Sequence, residues 1–316
     1  MNQQQRELLA ELVKGWPTAM QFDVSMASYS TLRAGGKAAA LIDVYSLADL
    51  RFFLEQLHEE QLVFRVIGRG SNILVTDKGF PGVIIRLKGE FEQIELAEDA
   101  RRGDVVQEGP LLKVGGGCSL ARFLSWCTQQ GLAGLEFMTG IPGSVGGAVR
   151  MNAGALGGEI GDRLQSLVLL DGQGKIITVP RSDLHLSYRK AELADKDLDA
   201  LIIAFACFVL RPDTQEEIRS RCAGLLAQRK GKQPAGVASA GSFFKNPSGD
   251  AAGRLIEAAG LKGHCCGEAM VSPVHANFIV NTGKGTVTDI LNLMELVQDR
   301  VFQKFAVRLE PEVEII

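Results

Sequence analysis

Two glycine-dense stretches are the first places in this chain where residue types and spacing could do chemistry. In Gly68-Arg-Gly-Ser-Asn72, followed by Ile73, the glycines Gly68 and Gly70 permit positive φ and close approach of backbone to a ligand. Ser71 and Asn72 add side-chain donors. Gly140-Ile-Pro-Gly-Ser-Val-Gly-Gly147 can present successive backbone N–H groups, the arrangement that takes phosphate oxygens. Its Gly140, Pro142, Gly143, Ser144, Gly146 and Gly147 are candidate ligand contacts, and Asn152-Ala-Gly154 adds another amide and another flexible point. Tight turns in a compact domain are the plain alternative. A turn is enough for the first segment, but four glycines in eight residues exceed what one turn needs in the second. Neither segment is G-x-G-x-x-G, and no G-x-x-x-x-G-K-[ST] occurs. A phosphate here is therefore held by neither a Rossmann nor a Walker loop.

Such loops need elements to hold them. Leu8, Leu9, Leu12 and Val13 recur at helical spacing, as do Leu50, Phe53, Leu54 and Leu57 in a helix predicted from Leu47 to Glu60 with Ser46 as its cap. Short β-rich runs follow at Val63–Ile67, Ile73–Val75, Val83–Leu87, Ile94–Leu96 and Leu111–Val114, then a helix over Leu120–Gln130 stopped by Gly131. Leu167–Leu170 and Ile176–Val179, joined by Asp171-Gly-Gln-Gly174, read as a hairpin. Ala200–Leu210 reads as a buried strand with Cys207 in the core. Thr214–Gln228, Gly253–Ala259 and Val287–Phe302 read as helices, Asn277–Val280 and Val307–Ile315 as strands, and Pro234–Pro247 as loop. Strands and helices mix without regular βα alternation, which points to an α+β fold and not a doubly wound parallel sheet. Pro212 and the charged stretch Lys88–Asp104 mark domain changes.

Composition narrows the function classes. The chain has 316 residues, 46% hydrophobic content, a net charge of −3 and a pI near 5.9, enough apolar material for a sizeable core and a poor match to nucleic acid or an acidic membrane. The longest apolar run, Ala200–Leu210, is too short to span a bilayer as a helix, and the start MNQQQRELLAEL lacks a secretory pattern; a cytoplasmic protein is expected. The six cysteines form no CxxC pair and read as reduced thiols. His264 beside Cys265 and Cys266 lacks metal-ligand spacing, so no metal is expected.

Taken in order along the chain, several motifs resemble the UDP-N-acetylenolpyruvoylglucosamine reductase family. They are Thr31-Leu-Arg-Ala-Gly-Gly36, Gly68–Ile73, Gly140–Gly147, Met151-Asn-Ala-Gly154, Ser187-Tyr-Arg189, Ala240-Gly-Ser-Phe-Phe-Lys-Asn-Pro247 and Leu309-Glu-Pro-Glu-Val313. GSFFKNP and GIPGSVGG are the most specific. His275-Ala-Asn-Phe-Ile-Val-Asn281 looks like the shorter, type II branch, which lacks a substrate-covering loop. Leu156 and Ala191 depart from the pattern, standing where an aromatic residue and a serine are common. The resemblance implies a two-part FAD-binding region of the PCMH / vanillyl-alcohol-oxidase type and a C-terminal α+β substrate-binding domain. The parts would be residues 1–90, 91–212 and 213–305, with 306–316 returning to the first.

It also implies a chemistry: reduction of the enolpyruvyl ether of a UDP-sugar to a lactyl ether, with noncovalent FAD as hydride carrier and NADPH as cosubstrate. By the same resemblance Arg189 stabilises charge on the enolised carboxylate, Glu312 stands beside that carboxylate, and Ser242 is the proton donor. Tyr188, Arg229, Lys245 and Asn246 are the expected substrate contacts. Read alone, these residues have plainer roles. A Tyr-Arg pair is a surface feature, Ser242 a turn residue, and Glu310, Glu312 and Glu314 an acidic solvated edge. Two other functions stay open on the residues: an oxidase on the same flavin fold, and a nucleotide-sugar-binding protein without catalysis. The first usually tethers flavin through His or Cys, and no histidine lies in either glycine-rich segment.

Overall fold

The computed structural model describes residues 1–97, 109–193 and 198–316. The boundary read at Lys88–Asp104 lies outside the described residues from position 98 onward. Among the described residues the helices are α1 (Gln3–Leu12), α2 (Leu47–Glu59), α3 (Leu120–Gln129), α4 (Val145–Arg150), α5 (Gln215–Arg229), α6 (Ala252–Ala258) and α7 (Val287–Phe305). None is long and apolar enough to cross a membrane. Strands and helices are mixed, and the fold is α+β as expected. The chain forms two compact units, each assembled from three stretches. Unit 1 holds Met1–Gln21, Leu41–Gly68 and Gly82–Ala227; unit 2 holds Phe22–Ala40, Arg69–Pro81 and Gln228–Ile316.

Unit 1 is built on a five-stranded antiparallel sheet in the order Ile176–Pro180, Leu164–Leu170, Ile202–Val209, Leu111–Gly115, Ile94–Leu96. The predicted hairpin forms with Leu170 opposite Ile176, because Asp171 accepts from the amides of Gln173 and Lys175 and closes the turn. Ile202–Val209 lies between two partner strands and is buried at most positions, so it reads as one apolar run. Cys207 is half-buried, a correction to the expectation of a core thiol; its strand neighbours Ala206 and Phe208 are the fully buried residues. Phe123, Phe208, Leu167 and Leu112 share the core with Cys118 and Cys127. Burial pushes the Cys118 thiol up to about 11 and Cys127 higher still, so both are inert. All six cysteines are free thiols. At α2, the Ser46 hydroxyl accepts from the Asp49 amide at 3.0 Å, and Leu50, Phe53, Leu54 and Leu57 are buried, as the spacing requires.

Unit 2 holds a four-stranded antiparallel sheet, Ala238–Ser239, Ile279–Asn281, Ala269–Val271 and Cys265–Cys266. Its long helix α7 starts with a capping box between Thr286 and Asp289, and Asp77 also accepts from the Val287 and Thr288 amides and the Thr288 hydroxyl. Val287, Ile290, Leu293, Val297 and Val301 turn one face of α7 into a core with Phe243, Phe244, Leu255 and Ile256. The strand expected over Val307–Ile315 is shorter. Only Glu314–Ile315 is strand, paired in parallel with Ile73–Leu74, with a single bridge from Pro311 to Phe244 before it. Pro311 has no N–H to extend a ladder.

Candidate active site

In unit 1 the second glycine-rich segment becomes a turn followed by α4. Ser144 caps the helix, its Oγ accepting from the Gly147 amide at 3.3 Å. Val145 N–H donates to Cys118 O and Gly146 N–H to Gly116 O, each at 2.8 Å, and Ile141 N–H donates to Met138 O at 2.9 Å. Protein acceptors therefore take the amides of the first helical turn. Among the described residues, those of Gly140, Gly143 and Ser144 meet no protein acceptor, on a turn whose glycines hold φ +78° and +146°. Gly68 is glycine for packing: a Cβ there would sit 2.2 Å from Ser144 Oγ.

Just after α4, Asn152 is fully buried with φ +39°. Its Nδ2 donates to Glu159 Oε2 at 2.6 Å and to Ser187 O at 3.1 Å, while its Oδ1 accepts from Gly161 N at 3.2 Å. Gly154 leaves room for Glu159: a Cβ at 154 would lie 2.8 Å from Glu159 Cγ. Leu184–Ser187 and Lys190–Leu193 form a hairpin that the sequence reading missed, and Tyr188-Arg189 is its two-residue turn. Arg189 holds φ +58°, with its guanidinium carbon 4.9 Å from the centre of the half-exposed Tyr188 ring. An arginine in the left-handed region costs about 1 kcal/mol or more and persists only where the surroundings impose it.

In unit 2 the first glycine-rich segment is laced to the Thr31–Gly36 motif. Gly70 O accepts from the Thr31 amide at 3.0 Å, and a Cβ on Gly70, at φ +66°, would lie 1.7 Å from Tyr29 O. Asn72 Nδ2 donates to Glu312 O at 3.0 Å, and Glu314 N–H donates to Asn72 O at 2.9 Å. The residues after Ser242 run antiparallel to those before Glu312 and on through it. Glu312 N–H donates to Phe243 O at 2.8 Å, and Lys245 N–H donates to Glu310 O at 2.9 Å. Asn277 fixes this segment from the other side. Its O accepts from Phe243 N at 2.7 Å, its Oδ1 accepts from Phe244 N at 3.0 Å, and its Nδ2 donates to Phe244 O at 2.8 Å. His275 Nδ1 accepts from the Asn277 amide at 3.1 Å, which leaves the ring proton on Nε2; burial, with Lys262 nearby, holds its pKa below the ordinary value.

The predicted residues thus fall into two groups. Unit 1 brings Gly140–Ser144, Asn152, Gly154, Tyr188 and Arg189 onto connected segments; unit 2 brings Ile73, Asn72, Ser242 and Glu312 onto neighbouring ones. Lys245 Nζ lies 3.7 Å from Glu310, and Asn246 Oδ1 accepts from the Ala252 amide at the start of α6. Arg229 ends α5, half-buried, with burial pulling its guanidinium below the usual value. His275 and Asn277, expected from the sequence to order a loop and not to act as acid or base, do order the segment after Ser242. Glu159 escaped the sequence reading, since it acts on a segment that no local period connects to it.

Backbone amides on a glycine turn are donors of the kind that suit a diphosphate-bearing cofactor. Comparison with known proteins names the family. Residues 38–180 match the FAD binding domain family, and residues 233–316 match the UDP-N-acetylenolpyruvoylglucosamine reductase C-terminal domain. The UDP-N-acetylenolpyruvoylglucosamine reductase of Desulfosudis oleivorans is 40% identical over 301 residues, 94% of each chain. That of Syntrophus aciditrophicus is 39% identical, covering 98% of this chain and 95% of its own. The chain belongs to the UDP-N-acetylenolpyruvoylglucosamine reductase family. The crystal structure of the reductase from Thermus caldophilus matches with a TM-score of 0.77 at 37% identity, covering 94% of this chain and 99% of that one. Family membership makes the protein an FAD-dependent oxidoreductase and fits the α+β fold already described.

Proposed function

We propose that the protein reduces UDP-N-acetylglucosamine enolpyruvate to UDP-N-acetylmuramate with NADPH, a cytoplasmic step in peptidoglycan precursor synthesis, and that it is of the family's type II branch. The observation that carries this reading is the ladder in unit 2 that sets the Ser242 segment against Glu312. A saturating proton and a carboxyl group are what the enolpyruvyl end of that substrate requires. On this reading residues 1–90 and 91–212 hold FAD and 213–305 hold the sugar nucleotide, with 306–316 returning to the first part. Turn amides of Gly140, Gly143 and Ser144 offer donors to the cofactor's diphosphate, and Ser71 and Asn72 are further cofactor contacts.

Bound FAD supplies the hydride, which no protein side chain can carry. Arg189 grips the substrate carboxylate and offers fixed N–H donors to the charge that grows there. Glu312 stands by the same carboxylate, protonated or through a water, since a bare carboxylate would repel it. The Ser242 hydroxyl gives its proton to the carbon bearing the carboxylate. A hydroxyl is a weak acid, so a neighbour such as Lys245, or a water, must polarise it. Tyr188, Arg229, Lys245 and Asn246 bind the sugar nucleotide.

The purified protein should be yellow, and NADPH should bleach it. Ser242→Ala should keep that bleaching while turnover of the enolpyruvyl sugar falls about 10²- to 10⁴-fold, the usual worth of a positioned acid. Equal sugar turnover in variant and parent removes serine from the mechanism; a colourless protein that FAD cannot reconstitute removes the whole reading.

A further inference from the structure

We propose that Glu159 is a positioning residue for Arg189, acting through the buried amide of Asn152. The inference rests on the role given to Arg189 above. Asn152 has two N–H donors, and both are used: one goes to Glu159 Oε2 at 2.6 Å, the other to Ser187 O at 3.1 Å. Gly161 N–H can only meet an acceptor, so its bond to Oδ1 at 3.2 Å fixes which way the amide points. Ser187 is the last residue before the turn that carries Arg189. Its carbonyl is therefore held from inside the protein one peptide before the strained turn begins.

Glu159 is the anchor of this chain of bonds. Its carboxylate bond to Asn152 is short and charge-assisted, so stronger than a neutral one, and Asn152 is fully buried. Glu159 also takes part in a reciprocal box with Asp162: its side chain accepts from the Asp162 main-chain amide, while the Asp162 side chain meets only the Glu159 main-chain amide, at 2.9 Å. The backbone of Arg189 sits at φ +58°, a conformation its own sequence disfavours. Something must impose it, and Glu159–Asn152–Ser187 is a rigid route by which the protein does so. A displacement of about 1 Å in a positioning group can cost roughly 10²-fold in rate.

The test uses the holoprotein, reduced without oxygen by dithionite and mixed with UDP-N-acetylglucosamine enolpyruvate, following the return of oxidised-flavin absorbance. Amide hydrogen exchange of the 184–193 hairpin, against the 164–180 hairpin of the same unit, is the second readout. Glu159→Asp keeps a carboxylate for the Asp162 amide but withdraws it from Asn152 by one methylene. Glu159→Gln loses one acceptor and the charge. Both should slow reoxidation about 10- to 100-fold and speed exchange in the 184–193 hairpin alone. Asp162→Ala, which loosens the same box without touching the Asn152 bond, should stay within a few-fold of the parent. Parent-like rates in both Glu159 variants overturn the proposal. So does a parallel loss in Asp162→Ala, or faster exchange in both hairpins, or failure of both variants to fold with flavin, since each makes Glu159 merely structural. Arg189→Lys separates the two claims. Parent-like reoxidation there sinks the role of Arg189 itself, whereas its collapse beside a parent-like Glu159→Asp sinks only the positioning.

Discussion

The two units hold their reactive residues by different means. In unit 2, Ser242 and Glu312 are placed mostly by main chain: amide to carbonyl between the 243–245 and 310–312 segments, and between Asn72 and Glu314. In unit 1, Arg189 and the glycine turn hang on buried polar side chains. Asn152 holds the Arg189 hairpin, Ser144 caps α4, and Glu136 anchors the chain just before Gly140. Main-chain ladders tolerate substitution, because every residue except proline brings the same groups. Side-chain anchors do not, because one atom carries the geometry. Single substitutions in unit 1 should therefore cost more than equivalent ones in unit 2, with Asn277 the exception.

Asn277→Ala tests that exception and should have the largest effect. Asn277 is 4% exposed and its side chain pairs both the N–H and the C=O of Phe244, itself 1% exposed. Removing it strands two buried backbone groups, at about 1–3 kcal/mol each. Chemical denaturation should show a loss of roughly 2–6 kcal/mol, with sugar turnover falling as Ser242 loosens. A loss under about 0.5 kcal/mol, the size of an ordinary surface substitution, would mean that main chain alone holds the segment.

Arg221→Ala is the matching break in unit 1. Arg221 donates to Glu136 Oε1 at 3.0 Å from Nε and 2.7 Å from Nη2, and also reaches Asp213 at 2.7 Å. Glu136 is only 8% exposed, and its other oxygen accepts from the Gly134 amide. Breaking a fully buried pair costs about 3–5 kcal/mol; with Arg221 39% exposed, about 2 kcal/mol is expected here. The pH dependence has a sign. Burial is the largest influence on Glu136 and raises its pKa, but the Arg221 hydrogen bonds, the Glu136 and Gly134 amides and the Arg221 charge together outweigh it and hold the folded value below the ordinary 4.5. A depressed carboxylate stabilises the fold above its unfolded value and loses that contribution as pH falls through the folded one. The gap in melting temperature between parent and Arg221→Ala should be full near neutrality and close below pH 4.5. A gap independent of pH would show that Arg221 acts by packing.

The same contrast explains what the sequence displayed. Local elements with a period and a stop were legible. Leu50, Phe53, Leu54 and Leu57 with Ser46 as cap gave α2 to within a residue, and Asp171-Gly-Gln-Gly174 gave its hairpin. Lys37–Val44 went unread as a strand, because its three alanines and continuous apolar run carry no alternation. The 184–193 hairpin was missed because its turn is Tyr-Arg, with none of the usual turn residues. The site residues were legible only as family motifs. What joins them is long-range: Asn72 bonds to Glu312 across 240 positions, and Asn277 to Phe244 across 33. No window along the chain contains such a pairing.

The smallest expected effect is a gain. Gly154–Ala155 and Gly158–Glu159 pair around the two-residue turn Leu156-Gly157, with φ +53° and +88°. Both central residues at positive φ make the mirror-image hairpin turn whose preferred sequence is Asn-Gly, and leucine is a poor first residue for it. Leu156 is also 53% exposed, so it gains little from burial. Leu156→Asn should raise stability by about 0.5–1 kcal/mol through relief of left-handed strain. Because the turn leads directly into Glu159, the substitution also probes the unit 1 anchor. If stability rises and sugar turnover holds, the leucine is a tolerated departure from the family's aromatic residue. If stability rises while turnover falls, the strained leucine is kept for contact with what the site binds, and side-chain dependence in unit 1 extends to the hairpin tip.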